Sequence, residues 1–479
     1  MLMLPSPLGF FGSPRKHAQQ PRSQPTRRFF LGMLLFLAGN VGLLQGLLGV
    51  HMRSLDAEES PQSAASAAAE AKTNSPEKAA SPEVRPSTDP QSLPTLLVLE
   101  RPPTQATLLS ASEEKLVFRI PAGETLSLPT DQLIRWGAPQ ELQRGPVVVL
   151  ADGTLLVAQT PHMSAMTLTV EPDLLTPKRP EGCRLPIGHV VGVVFRLPLE
   201  LAERDRLLDR LHQQPPEEDR IGLLNGDELT GRVETIEEKT LRVKGPLGPM
   251  AVEVSRIRAV HFRRLPRPSA SSEGLRIWVG LRDGSLLQAE KILIQDASVQ
   301  LTLPGRLIFQ ADLHDVVFLQ PVGGQVVYLS DLEPQQYRFE PFFELAWPYM
   351  RDRCVTGSWL RSGGRRYLKG LGVHSKAALK YDLAGRYTGL ESELGLDDTT
   401  GGRGSVVFRV LADGKPIYQS PPICGGRPPQ PIRLNISGAR ELEFVVDYGP
   451  RGDEMDRANW LDARLIPAAA APRSPASSP

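Results

Sequence analysis

Val406-Val407-Phe408-Arg409-Val410-Leu411-Ala412-Asp413-Gly414 is the stretch that decides the fold class of this 479-residue chain. Val406, Phe408 and Val410 point to one face of a strand, because side chains alternate along β structure. Asp413-Gly414 then supplies the backbone of a tight turn. Six further short apolar runs lie around it, at 378–383, 390–394, 417–419, 432–436, 441–446 and 460–466. Seven short strands separated by turns predict a two-sheet β-sandwich, or jelly roll, over residues 327–466.

Several blocks of this segment follow one another as in a known family. They are Tyr328-Leu329-Ser330-Asp331-Leu332, Gly370-Leu371-Gly372-Val373-His374-Ser375, Gly395-Leu396-Asp397-Asp398, Gly402-Arg403-Gly404-Ser405 and Trp460-Leu461-Asp462-Ala463-Arg464-Leu465. The segment resembles the NPCBM domain, the carbohydrate-binding module found beside family 98 glycoside hydrolases. The resemblance implies a galactose-binding-like fold and non-catalytic recognition of galactose-containing glycans. It leaves the first 320 residues unassigned.

Sugar recognition needs an aromatic face for the pyranose ring and planar polar groups for its hydroxyls. Trp347 and Trp460 are the predicted faces, and His374, Arg403 and Asn459 are the predicted polar contacts. A structural explanation stands beside each functional one. Trp460 lies in an apolar strand that is typical of a core, His374 could cap a turn, and Arg403 between two glycines could shape a loop.

Asp397 and Asp398 are adjacent carboxylates, which raises the question of catalysis. A glycosidase needs two carboxyls that face each other across one bond, whereas neighbours on a strand point to opposite faces. On a loop the pair could instead bind a structural Ca²⁺ together with backbone carbonyls. A solvated turn explains the two residues equally well.

The middle region, residues 95–322, contains a loose repeat. Leu150-Ala151-Asp152-Gly153-Thr154-Leu155 recurs at 224–229 and 281–286, and each copy closes on a branched aliphatic residue and Phe; a fainter copy begins near Pro103. Such copies predict small β-meander or SH3-like units that must stack to hide their edges. Residues 199–212 predict one amphipathic surface helix. No nucleophile or phosphate-binding loop is recognisable here, so the region is interpreted as a scaffold or a surface for protein partners.

The N-terminal segments predict export. A basic stretch, 1–28, precedes an uncharged apolar run, 29–50, which is long enough to span a bilayer as a signal anchor with a cytoplasmic N-terminus. The alternative is a cleaved leader with a twin-arginine-like motif at 26–31, which would make the protein secreted. The composition of 51–94 predicts a disordered linker, and 467–479 a disordered tail.

The bulk composition removes one class of partner. The 55 basic and 54 acidic side chains give no basic surface for nucleic acid.

Cys354 and Cys424 either form a disulfide or stay as thiols. The sequence therefore predicts a mainly β, membrane-anchored, extracytoplasmic glycan-binding protein without catalysis. The alternative is a cell-envelope scaffold or adhesion protein whose β domains bind other proteins.

Overall fold

The computed structural model describes residues 93–121, 123–174, 183–213, 215–246, 248–263, 274–342 and 346–468. The predicted segments 1–28 and 29–50, and most of 51–94 and 467–479, lie outside these ranges. No helix within the described ranges is long and apolar enough to cross a membrane. The chain is mainly β, as the sequence predicted.

The middle region consists of short strands and one α-helix. The strands are β1 Thr95–Val98, β2 Thr104–Gln105, β3 Thr107–Ala111, β4 Lys115–Arg119, β5 Thr125–Pro129, β6 Leu133–Gly137, β7 Val147–Leu150, β8 Leu155–Ser164, β9 Thr167–Pro172, β10 Cys183–Pro186, β11 Val190–Val194, β12 Asp219–Leu223, β13 Glu228–Ile236, β14 Thr240–Gly245, β15 Gly248–Glu253, β16 Ile257–His261, β17 Arg276–Leu281, β18 Leu286–Ala289, β19 Lys291–Gln295, β20 Ser298–Leu303, β21 Leu307–Asp312 and β22 Val316–Val322. The helix α1 spans Leu201–Gln213, where 199–212 was predicted.

These strands form four units of the same design. In each unit the last strand returns to pair with the first, giving the antiparallel pairs β1–β6, β7–β11, β12–β16 and β17–β22. A short 3₁₀ turn precedes each closing strand, at Thr130–Gln132, Ile187–His189, Val254–Arg256 and Leu313–Asp315. The faint copy near Pro103 is thus a full unit that begins at β1.

The units join in pairs through their closing strands. β11 pairs with β16, and β22 pairs with β6. The two pairs then meet at Leu155 and Leu286, which are register partners. At this contact Thr154 Oγ1 accepts a hydrogen bond from Gln288 N at 3.0 Å, and Ser285 Oγ accepts one from Val157 N at 2.9 Å. The residue after each of these two Asp-Gly turns therefore bonds to the strand that follows the other turn. The turns hold the two units together in addition to reversing the chain.

The C-terminal region contains fourteen further strands within the described ranges. They are β23 Val327–Tyr328, β24 Gln336–Phe339, β25 Met350–Arg351, β26 Leu360–Ser362, β27 Arg365–Tyr367, β28 Gly370–His374, β29 Ala377–Asp382, β30 Tyr387–Leu396, β31 Ser405–Ala412, β32 Lys415–Gln419, β33 Ile423–Cys424, β34 Gln430–Asn435, β35 Glu441–Tyr448 and β36 Arg457–Pro467. All seven strands predicted from the sequence are among them.

The C-terminal strands form the predicted sandwich. One sheet has the order β25-β28-β36-β30-β34, and the other has the order β24-β29-β35-β31-β32. Between them the fully buried Trp460 ring packs edge-on against Phe408 and Phe444, with centroids 4.9 and 5.1 Å away. This aromatic contact sits at the centre of the core and includes Phe408 from the stretch that predicted the fold. Cys354 and Cys424 do not form a disulfide.

The middle region covers the outer face of the first sheet. Arg135 of β6 forms ion pairs with Glu393 at 3.1 Å and with Asp462 at 3.2 Å. Gln320 of β22 donates to the hydroxyl of Tyr328 at 2.9 Å. At these positions the sandwich is therefore covered by the middle region instead of by water.

Helix α1 makes a further buried contact with the sandwich. Asp205 is fully buried, and its carboxylate accepts two bonds from the Arg361 guanidinium, at 2.6 and 3.0 Å. Glu141 accepts two more from the same guanidinium, at 2.6 and 2.9 Å. The expectation of an ordinary surface helix is wrong at this position, because the sandwich packs over Asp205.

Replacing Asp205 with Asn should destabilise the protein strongly. The change leaves the buried Arg361 with one carboxylate partner instead of two, and losing a partner of a buried ion pair costs on the order of 3 kcal/mol. Denaturant unfolding followed by tryptophan fluorescence measures the loss, because the Trp359 ring lies against the Arg361 guanidinium, 5.5 Å from its central carbon. The control is Glu203→Gln, an exposed carboxylate on the same helix. Equal unfolding midpoints for the two variants would contradict a role for Asp205 in joining the regions.

Candidate functional site

Loops that connect the two sheets converge at one end of the sandwich, here called the loop end. It comprises residues 339–342 and 346–349, the β28–β29 turn at 374–377, the β30–β31 loop at 397–404 and the β35–β36 loop at 449–456. The β35–β36 loop bonds to both of its neighbours: Asp453 accepts from Ser375 Oγ at 3.0 Å, and Glu454 lies 3.4 Å from Arg403. Loops at one end of a β-sandwich are where ligands are usually bound.

Trp347 and His374 form the aromatic centre of the loop end. Their rings are parallel within 5°, with centroids 5.2 Å apart, and Phe339 meets the His374 ring edge-on at 6.4 Å. His374 is buried, whereas Trp347 is half-buried. The tryptophan is thus backed by a fixed ring while part of it stays open to solvent.

The surroundings of His374 favour its uncharged form. Burial lowers the pKa of His374, and the Asp453 carboxylate, 3.4 Å from Nδ1, opposes that effect. A neutral imidazole has one nitrogen that donates and one that accepts a hydrogen bond. Within the protein, Nδ1 of this imidazole also lies 3.4 Å from Ser375 Oγ.

Arg403 lies on the rim of the loop end. Its side chain is 58% exposed, and its contact with Glu454 is long and solvated, so the guanidinium can turn toward a ligand at small cost. The backbone beneath it is fixed: Gly404 has φ 78°, and a Cβ there would lie 2.4 Å from the carbonyl oxygen of Met455. The structure therefore brings three predicted residues, Trp347, His374 and Arg403, around one loop.

The other two predicted sugar contacts lie elsewhere. Trp460 is core, and its fully buried ring offers no face to a ligand. Asn459 is also fully buried, and its Nδ2 donates to Asp397 Oδ2 at 3.0 Å. Both belong to β36, a central strand whose two faces are covered, one by the opposite sheet and the other by the β26–β27 hairpin. For these two residues the structural explanation holds.

Asp397 and Asp398 bind the chain's own donors. Asp397 accepts from Thr399 N and Oγ1 through one oxygen, and from Asn459 and Arg361 N through the other. Asp398 accepts from Gly363 N at 2.8 Å and Gly364 N at 2.9 Å. Each of the four carboxylate oxygens therefore accepts at least one hydrogen bond from the chain. The described ranges contain no group of three His, Cys, Asp or Glu residues placed to hold a metal ion.

Sequence reasoning missed the acidic residues of the β35–β36 loop. Asp456 is fully buried; Oδ1 accepts from Ser405 N at 2.8 Å, and Oδ2 has no hydrogen-bond partner among the described residues. Burial raises the pKa of Asp456 to about 6. The signal available in the sequence was Gly449-Pro450-Arg451-Gly452, a polar turn between two apolar strands, which indicates a loop but not its contacts.

Comparison with known proteins assigns this region to a family. Residues 325–466 match the NPCBM/NEW2 domain. The "Putative endo-alpha-N-acetylgalactosaminidase" of Renibacterium salmoninarum is 30% identical over 110 residues, which is 23% of this chain and 7% of that protein. "Alpha-1,3-galactosidase B" of Akkermansia muciniphila is 27% identical over 115 residues, 23% of this chain and 14% of that protein. The chain thus spans only a small part of the length of these relatives.

Solved structures of similar modules include CBM51 from Clostridium perfringens GH95 in complex with methyl-galactose. It is 26% identical, with 29% of this chain and 99% of that chain covered, at a TM-score of 0.27. The tandem CBM51 modules of a family 98 glycoside hydrolase from Streptococcus pneumoniae are 14% identical, with 54% and 90% covered, at a TM-score of 0.27.

Asp456 should make the stability of the loop end depend on pH. Because its pKa is higher in the folded chain than in the unfolded one, the folded state binds the extra proton between about pH 4 and pH 6. This carboxylate therefore lowers the free energy of unfolding as pH rises through that range. Asp456→Asn removes the effect. The difference in melting temperature, variant minus wild type, should therefore increase from pH 4 to pH 7. The exposed Asp382→Asn serves as the control; a difference that stays flat with pH would contradict the assignment.

Proposed function

We propose that the NPCBM/NEW2 domain at residues 325–466 binds a glycan at the loop end and catalyses no reaction on it. The observation that carries the proposal is the parallel stack of Trp347 on His374. A pyranose can lie on the open part of the indole, which the buried His374 ring supports from behind, and the exposed Arg403 guanidinium offers a polar group on the rim.

The names of the relatives suggest the sugar. One is named for α-1,3-galactosidase activity and the other for α-N-acetylgalactosaminidase activity. Both enzymes would act on sugars that share the galacto configuration. We therefore propose a galactose or N-acetylgalactosamine residue as the ligand of the loop end.

The carboxylates of the loop end support binding without catalysis. Asp453 is bonded to Ser375, Asp456 to Ser405, and Glu454 lies beside Arg403. A glycosidase instead needs two carboxyls that are free to face the same bond. Asp397 and Asp398 are likewise held by backbone donors of the β26–β27 hairpin and its turn.

The middle units are proposed to support this domain. They cover the outer face of one sheet and hold Arg361, whose backbone N–H bonds to the carboxylate of Asp397 at the start of the β30–β31 loop. Binding of separate protein partners by these units stays an alternative that the following experiment can favour.

A glycan array probed with purified full-length protein tests the proposed function. We expect selective binding to glycans that end in galactose or N-acetylgalactosamine. Trp347→Ala should weaken that binding at least tenfold, because it removes the face on which the sugar stacks. Arg403→Ala should weaken binding less, since its side chain is exposed.

The control for this test is Tyr418→Ala on β32. Tyr418 is a partly buried aromatic residue of the same domain. It pairs with Val410, which lies near the end of β31 that is opposite to Ser405 and the loop end. Its loss should leave the array profile unchanged. A blank array from folded wild-type protein, or equal losses in the Trp347 and Tyr418 variants, would favour the scaffold alternative.

We also propose that the protein is held at a membrane with this domain outside the cytoplasm. The support is the uncharged run 29–50 preceded by basic residues. Fractionation of cells followed by protease treatment of intact spheroplasts tests it. We expect the full-length chain in the membrane fraction, with the domain digested from outside. Recovery of a shortened chain in the soluble extracytoplasmic fraction would favour a cleaved leader.

A further inference from the structure

A second aromatic group lies at the loop end beside the Trp347 and His374 stack. Phe342 is 58% exposed and meets the ring of the half-buried Tyr448 edge-on, with centroids 6.0 Å apart at 87°. The Lys376 ammonium lies 5.2 Å from the Tyr448 centroid and bonds to Asp447 Oδ1 at 2.8 Å. This group combines an exposed apolar ring with a paired cation and carboxylate.

The two aromatic groups flank the same turn. His374, which stacks on Trp347, and Lys376, which lies against Tyr448, are two residues apart, so their Cα atoms are at most about 7 Å from each other. Glu340 N donates to the carbonyl oxygen of Lys376 at 3.1 Å, which fixes the segment that carries both Phe339 and Phe342 across this turn. The two aromatic groups therefore contact side chains of one short turn.

Phe342 is 58% exposed although it is a large aromatic residue. The core of the sandwich includes Phe339 and Tyr349 at its margin, but Phe342 lies outside that cluster. An exposed large aromatic residue beside a half-buried one, with polar groups within reach, is the arrangement expected of a ligand-binding face.

We propose that Phe342 and Tyr448 form a second sugar subsite, so that the ligand is an oligosaccharide of at least two residues. This inference rests on the proposed function. One sugar ring lies on Trp347, and its neighbour lies against Phe342 and Tyr448. Lys376 and Asp447 meet the hydroxyls of that neighbour. Since these two charges are paired, the subsite suits an uncharged sugar.

Isothermal titration of the full-length protein with methyl α-galactoside and with galactose-α-1,3-galactose tests the subsite. Wild-type protein should bind the disaccharide about tenfold more tightly, the gain expected from one additional aromatic contact. Phe342→Ala should remove most of that gain while leaving affinity for the methyl glycoside within twofold. Because Phe342 is exposed, this variant should fold as wild type; the double variant with Tyr448→Ala should remove the rest. The exposed Ile417→Ala is the control.

The outcomes separate the two proposals. Equal affinity of wild type for the two sugars, or an equal loss for both sugars in Phe342→Ala, would overturn the subsite and leave the proposed function standing. Failure of wild type to bind either sugar would overturn the subsite; the proposed function would fall only if the glycan array also shows no binding to glycans that end in N-acetylgalactosamine.

Discussion

The structure depends on one buried guanidinium. Arg361 has a side chain that is 7% exposed and lies between the carboxylates of Glu141 and Asp205, both from the middle region. A charge in such a place is costly unless every neighbour is fixed, because an unpaired buried ion loses its hydration without compensation. The β26–β27 hairpin that carries Arg361 is therefore held rigidly against the middle units.

Hydrogen bonds from the β26–β27 hairpin also fix the start of the β30–β31 loop at the loop end. The Arg361 N–H bonds to Asp397, and Gly363 and Gly364 N–H groups bond to Asp398. These two aspartates begin the loop that ends at Arg403. The adjacent carboxylates, which invite a catalytic or metal-binding explanation when seen in the sequence, thus serve to anchor a loop. Through the same contacts the middle units meet the C-terminal sandwich at Arg361.

The sequence predicted what depends on local periodicity. Alternation in β31 and the Asp-Gly turns located the strands and the repeat. Trp347 and His374 were predicted as separate sugar contacts, and the stacking of their rings was not foreseen. Asn459 was misjudged because β36 is covered on both faces, and nothing local reveals a covering hairpin. Asp205 was misjudged because a polar position on an amphipathic helix normally faces water. In both cases the error comes from packing between distant segments.

Charge at the loop end follows one pattern. Burial favours the neutral form of His374 and the protonated form of Asp456, while Lys376 is paired with Asp447 and Arg403 lies near Glu454. Arg451 and Arg457 lie at or beside this end as well, and their guanidinium groups donate to the carbonyl oxygen of Gly402 and to Thr399 Oγ1. These charged groups are thus bonded to other parts of the chain, while part of the Trp347 ring stays open to solvent. A ligand at this end therefore has an aromatic surface to stack on, and it competes with bonds inside the protein for each charged group.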